Sequence, residues 1–321
     1  MESERKMNLT NLTKGLIAAS ALTVASFSAN AGVIASSYLE VNNFSLNGVS
    51  SADLLFLAPG SREGNTSAQI NVGTNLTAGD ADSSSALGDV DALLACVGDC
   101  SVIGLDTPAA ENAGTLHWST GLADDLNYSY SDQTVAGNAL DGTSTGFTLA
   151  ESSLSSVPQG NASSNGNIFN EFEAIFKFNG GTDTNVNFTL DYVLDMASVM
   201  TADIAFNDLV TATTTAFANF TVSLTNIGTG VKQQWSIVDE TISGRDGAMF
   251  NTIFPGSNSK EVNEDESFNS GDFLLEAQNA YTLNISQTTS TNISLVPEPT
   301  SIAIFGLGLI GLAGAARRRN S

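Results

Sequence analysis

The sequence is poor in the groups that most enzyme chemistry requires. It has one histidine, two cysteines and eleven basic residues in 321. With no second histidine and no cysteine cluster, zinc catalysis has no ligand set. No glycine-rich phosphate loop, dinucleotide fingerprint or basic patch is present. Also missing are a long amphipathic helical pattern and an internal repeat, which excludes helical bundles and solenoids. Charged residues make up only 14% of the chain, and serine, threonine, asparagine and glycine fill the polar share. Such a mixture suits an exported all-β protein.

The few bases are concentrated at the ends. Arg5, Lys6 and Lys14 lie near the amino terminus, and Arg317, Arg318 and Arg319 near the carboxyl terminus. Between them only Arg62, Lys177, Lys232, Arg245 and Lys260 oppose 31 acids, a net charge of -26. That field repels nucleic acid and anionic lipid, so neither is an expected partner of the body. It leaves divalent cations, cationic polymers or solubility alone as its purpose.

Both ends read as routing signals. Lys14 precedes an apolar run, Gly15 to Phe27, which is followed by Ala29-Asn30-Ala31. A basic start, a short apolar core and small residues at the last and third-last positions make a signal peptide over residues 1–31. Cleavage after Ala31 leaves Gly32 as the new terminus, with the Sec translocon and signal peptidase as partners. Met7 is an alternative start. At the other end, Val296-Pro297-Glu298-Pro299 precedes an apolar stretch, expected as a transmembrane helix over 301–316, and Arg317, Arg318 and Arg319 follow it. The terminal arginines place that end in the cytoplasm and the body outside. The fifteen-residue apolar run, Ile302 to Ala316, at ~1.5 Å each spans about 22 Å, short of a bilayer core.

This three-part tail, residues 296–321, resembles the PEP-CTERM sorting signal, also known as an ice-binding-protein C-terminal motif. The resemblance implies an exosortase as partner, with cleavage near Pro297 to Pro299. It further implies an exopolysaccharide-producing, biofilm-forming Gram-negative host, and so a chain that is anchored transiently and then moved to the cell surface or beyond. The sorting residues are then Pro297, Glu298, Pro299 and the three terminal arginines.

The body, residues 32–295, carries strand signals. Apolar residues alternate in Phe172 to Phe178 and in Val186 to Tyr192, and loosely in Ala68 to Leu76. Phe220, Val222 and Leu224 lead through Asn226 to Gly230 into Val231, Gln233, Trp235 and Ile237, a hairpin pattern. Phe273 and Leu275, then Tyr281, Leu283 and Ile285, read as a last pair after an acidic turn at Asn263 to Glu266. The expected fold is an all-β antiparallel sandwich or jelly roll. Residues 151–166, rich in serine, asparagine and glycine, are a candidate loop or linker. Val90 to Ala95 is a weak helix candidate.

Candidate chemistry is sparse. Cys96 and Cys100 could close a disulfide loop in an oxidising compartment, or remain free thiols. Asp80, Asp82, Asp89 and Asp91 could offer oxygen ligands to calcium, although the spacing fits an EF-hand poorly. No other cofactor is expected. Gly142 to Gly146 matches G-x-S-x-G, but no helix pattern follows and the one histidine, His117, precedes the serine. Glu171 and Glu173 are a carboxylate pair on one strand face. Trp118, Tyr128, Tyr130 and Trp235 could stack on sugars or simply pack in the core. The expected function is an exported, non-enzymatic cell-surface or matrix protein. The alternatives are a secreted glycan-active enzyme, or an adhesin or ice-binding module; the one threonine tract, Thr211 to Thr215, is not an array.

Overall fold

The structure is a computed structural model that describes residues 32–57, 61–85, 89–104, 116–117, 126–137, 143–155, 157, 159–200, 210–246 and 260–297. The signal-peptide residues 1–31 and the apolar stretch 301–316 lie outside the described residues. Two antiparallel seven-stranded sheets are stacked face to face. The first joins β12 (Lys260–Asn269), β9 (Thr184–Met200), β1 (Gly32–Asn47), β7 (Ser144–Ser155), β6 (Tyr128–Ala136) and β5 (Ala95–Gly98) in that order, with β13 (Phe273–Leu275) also paired to β9. The second joins β11 (Lys232–Asp246), β10 (Val210–Asn226), β14 (Ala280–Pro297), β8 (Gly160–Phe178), β3 (Ser61–Asn71) and β4 (Asn75–Ser85), with β2 (Leu54–Phe56) on β8. The first and last strands, β1 and β14, are both central and face each other across the interior.

Alternation explains which face each strand buries. On β9, Val186, Phe188, Leu190, Leu194 and Met196 point inward and are buried, while polar residues alternate with them along much of the strand. With Phe176, Phe220, Leu224, Tyr281 and Leu283 they form the larger apolar cluster at one pole of the sandwich. A second cluster at the other pole contains Val33, Ala35, Ile70, Leu154, Ile293 and Leu295.

Between these clusters the interior is largely polar, with Ile168 grouped with Val90 and Val135 beside it. Along β14 the inward series runs Tyr281, Leu283, Ile285, then Gln287, Thr289, Thr291, then Ile293, Leu295, and all are buried. The hydroxyls of this waist bond across the sandwich. Ser37 Oγ donates to the Phe217 carbonyl at 2.8 Å, and Ser129 Oγ to the Ser163 carbonyl at 2.7 Å. Ser131 Oγ donates to the Ser67 carbonyl at 3.0 Å, and Gln287 Nε2 to the Leu39 carbonyl at 2.6 Å. Thr291 Oγ1 lies 2.8 Å from Ser152 Oγ on the facing sheet and 2.7 Å from Ser164 Oγ on its own neighbour β8. Short side chains let the sheets come close enough for these bonds. At Gly166 the approach is closest to bare backbone: a β-carbon there would lie 2.8 Å from the Leu149 carbonyl oxygen and 2.9 Å from that of Asp132.

The sheet topology corrects several expectations. Residues 151–166 form no linker: β7 runs to Ser155 and β8 starts at Gly160. Its inward residues are mostly short, Ser152, Ala162, Ser164 and Gly166 with Leu154 as the one large apolar side chain, so the stretch has strand geometry with little apolar alternation. Ala68 to Leu76 is not one strand but the end of β3, a turn and the start of β4. Val90 to Ala95 forms no helix; Val90 makes an isolated bridge with Val135, and Ala95 begins β5. Asn263 to Glu266 lies within β12, where charges suit an edge strand. Finally, β13 and β14 do not pair with each other, because they belong to different sheets.

Two substitutions test the waist. Gly166→Ala should destabilise the protein by about 1–3 kcal/mol, since the new carbon meets main-chain atoms that cannot turn aside. Thr291→Val keeps the shape but leaves Ser152 and Ser164 without that partner, and should cost about 1–3 kcal/mol. Urea denaturation checks both, and unchanged midpoints would remove the waist as a stabilising feature.

Candidate functional site

Two places in the structure carry features beyond packing. The first is the carboxyl-terminal junction. Strand β14 ends at Pro297, with Val296 opposite Thr211 and Pro297 opposite Val210 on β10. Leu295 is buried in the smaller apolar cluster and also pairs with Gly160 on β8. Glu298, Pro299, Arg317, Arg318 and Arg319 lie outside the described residues, as do Ala29 and Ala31. Gly32 opens β1 as a buried residue opposite Ser155.

The second is a buried polar cluster on the outer face of the first sheet. Glu151 on β7 lies opposite Ser36 on β1 and Tyr130 on β6, and is 0% exposed. Tyr128 donates its hydroxyl to Glu151 in a short hydrogen bond. The backbone N–H of His117 donates to Glu151 Oε2 at 2.9 Å, and His117 Nδ1 lies 3.0 Å from the Tyr130 hydroxyl. Ile103 and Leu116 close over the same face with Ile34, Phe147 and Leu149. Burial pushes the Tyr128 and Tyr130 hydroxyls far up, reinforced by the neighbouring Glu151 carboxylate. Burial also pushes the His117 imidazole down from its ordinary value, against hydrogen bonding to the main chain at Ile103.

Cys96 and Cys100 flank this cluster and are joined in a disulfide with an S–S distance of 2.06 Å. The ring turns at Gly98, whose φ of +92° is one that L side chains rarely adopt. A β-carbon there would also lie 2.1 Å from the Asn127 carbonyl oxygen. Asp99 accepts the Asn127 N–H, and its own N–H donates to the Asn127 carbonyl. The crosslink and these bonds tie the end of β5 to the start of β6. Glu151, His117 and the tyrosines therefore clamp a segment to the sheet.

The structure separates most of the remaining candidates. Asp80 and Asp82 are on edge strand β4, not in a loop. Asp80 accepts the Leu93 N–H, Asp82 accepts the N–H groups of Ser83 and Asp91, and Asp89 accepts the Gly137 N–H. These carboxylates thus serve the main chain, and among the described residues no three metal-ligating side chains converge. Ser144 begins β7 as strand, without the turn into a helix that a hydrolase elbow needs. It stands seven residues from Glu151, roughly 23 Å along an extended chain, while His117 is engaged at Glu151 and Tyr130. Tyr128 and Tyr130 are buried. Trp235 packs edge-on against Phe188 with ring centroids 4.7 Å apart. Neither tyrosine offers an open stacking face, and Trp235 is partly buried against Phe188 and Phe273. Trp118 and the side chains of Glu171 and Glu173 lie outside the described residues. Among the described residues, no helix is long and apolar enough to cross a membrane.

Sequence reasoning missed Glu151. Its signal is a lone carboxylate in the serine-rich strand Ala150 to Ser155, with two tyrosines at alternate positions of Tyr128 to Ser131.

Residues 295–319 match the family described as the PEP-CTERM protein-sorting motif. No curated protein matches the chain. Among solved structures, a protein from Parabacteroides distasonis ATCC 8503 is 9% identical over 81% of this chain and 73% of its own, with a TM-score of 0.11.

The clamp carries a pH dependence. A base whose pKa is lower in the folded state binds fewer protons there than in the unfolded chain. The stability from keeping His117 neutral is therefore full above about 6.5 and is lost as pH falls from there through its lower folded value. The urea midpoint should drop between about pH 7.5 and about pH 5.5, and His117→Gln should remove the histidine's part of that drop. An identical pH slope in both proteins would show that His117 does not act in this way.

Proposed function

We propose that this protein is a non-enzymatic component of the cell surface or extracellular matrix. Its carboxyl-terminal sorting motif marks it as an exported protein handled by an exosortase. The observation that carries the reading is the position of that motif, which begins in the last residues of a folded all-β body. The body is a product to be delivered, and the tail is its address. Exopolysaccharide is the proposed matrix partner. The body's net charge of -26 directs that contact towards neutral or cationic polymer, or towards anionic polymer bridged by divalent cations. Support for a non-enzymatic role comes from the separation of Ser144 from His117, and from the use of the Asp80, Asp82 and Asp89 carboxylates as main-chain acceptors.

Intact-mass analysis of the envelope and medium, with and without the host's exosortase, tests the routing. The expected product begins at Gly32 and ends near Pro297 to Pro299, and forms only when the enzyme is present. A product that still ends at Ser321 in both strains would reduce the tail to an ordinary membrane anchor.

A further inference from the structure

The sorting motif and the folded body share residues. The motif match begins at Leu295, and Leu295 is 4% exposed in the apolar cluster, held by Gly160 on one side and Ala212 on the other. Ile293, two residues earlier, is 0% exposed. Val296 and Pro297 still pair with β10, but pairing with β8 stops at Leu295. Val296 is 50% exposed. The segment immediately before Glu298 is therefore sheet, two-sided up to Leu295 and one-sided beyond it.

The amino-terminal end of the body leaves from the same pole. Gly32 lies opposite Ser155, the last residue of β7, and the short connection from Ser155 to Gly160 leads to the residue that faces Leu295. Val33 lies opposite Met200, and Val210 opposite Pro297. The sheet thus continues up to the Pro-Glu-Pro element without an intervening linker.

A chain-cutting enzyme needs extended backbone on both sides of the bond it breaks, and backbone already paired in a sheet becomes available only when that pairing opens. Cleavage then follows the population of the open form. We propose that sorting of this protein is gated by local opening: the exosortase acts on chains in which β14 from Val296 onward has left β10. This rests on the reading of the tail as an exosortase signal. The opening is bounded on the body side. Leu295 and Ile293 are buried in the smaller apolar cluster and paired with both neighbouring strands, so the gate comprises Val296 and Pro297 against Thr211 and Val210. The body stays folded while its last residues are presented, and the finished product keeps β14 as its terminal strand.

The test uses the full chain in a host with its exosortase. A spacer of about six glycine and serine residues, inserted between Leu295 and Val296, moves the intact Val296 to Pro299 element off the sheet. Pulse-labelling followed by intact-mass analysis reads the processing rate, and resistance of the released body to added protease confirms that both versions fold. The spacer chain should be processed several-fold faster than the native chain. Equal or slower processing of a folded spacer chain would overturn the gate and leave the sorting signal standing. An absence of exosortase-dependent product from either chain would instead overturn the sorting reading, and the gate with it.

Discussion

The close approach of the two sheets at their waist is the constraint on which the remaining architecture depends. Gly166 lies over the ladder pair Leu149 and Asp132 with no room for a β-carbon. Around it, Ser37, Ser129, Ser131 and Gln287 each donate to a main-chain carbonyl of the opposite sheet. Those carbonyls can accept a second bond because each has two lone pairs. A larger apolar residue at these positions would push the sheets apart. A small apolar one would lose bonds worth about 1 kcal/mol each and would leave buried acceptors underused. The apolar clusters at the two poles supply the non-directional part of the stability, and the waist sets the distance and register at which they meet.

The same waist explains which parts of the fold were legible in the sequence. The strands lining the larger apolar cluster announce themselves: Val186, Phe188, Leu190 and Tyr192 alternate, and the β10–β11 hairpin shows its turn at Asn226 to Gly230. The strands crossing the waist do not. In β7 and the first half of β8 most inward residues are short, Ser152, Ala162, Ser164 and Gly166 among them, and β7 is buried on both faces, so the period of two survives in space but fades from the hydropathy pattern. The edge strands β4 and β12 carry carboxylates and look like acidic loops. Tertiary pairing decided the last case: Phe273 to Leu275 and Tyr281 to Ile285 are neighbours in sequence but add to opposite sheets. At the sites, the sorting motif was legible because it is a local string. Glu151 was not, because its partners come from β6 and from the segment around His117.

Chain order and sheet order also conflict in a way that bears on export. Strand β1 is the first of the body and β14 the last, and both are interior strands with neighbours on each side. The second sheet cannot close between β10 and β8 until β14 arrives, and β14 is the segment that runs into the sorting motif. Long-range pairing of this kind is slow, because the loop entropy is lost before the contacts form. A body emerging amino end first therefore remains incomplete until its sorting residues have emerged as well.

Polarity along β14 lets one strand serve both roles. Its first third is anchored by Tyr281, Leu283 and Ile285, and its middle by Gln287 and Thr291 bonding across the waist. Ile293 and Leu295 then hold its last buried positions against the smaller cluster. Beyond Leu295 the strand loses β8, and Val296 is half exposed. Stability therefore falls steeply over two residues rather than gradually along the strand. A gradual decline would let the end of the sheet fray back into the core, and a decline starting later would bury the address. The change from two neighbours to one falls where the motif passes from Leu295 to Val296, so the body can retain its central strand while its last residues remain available to open.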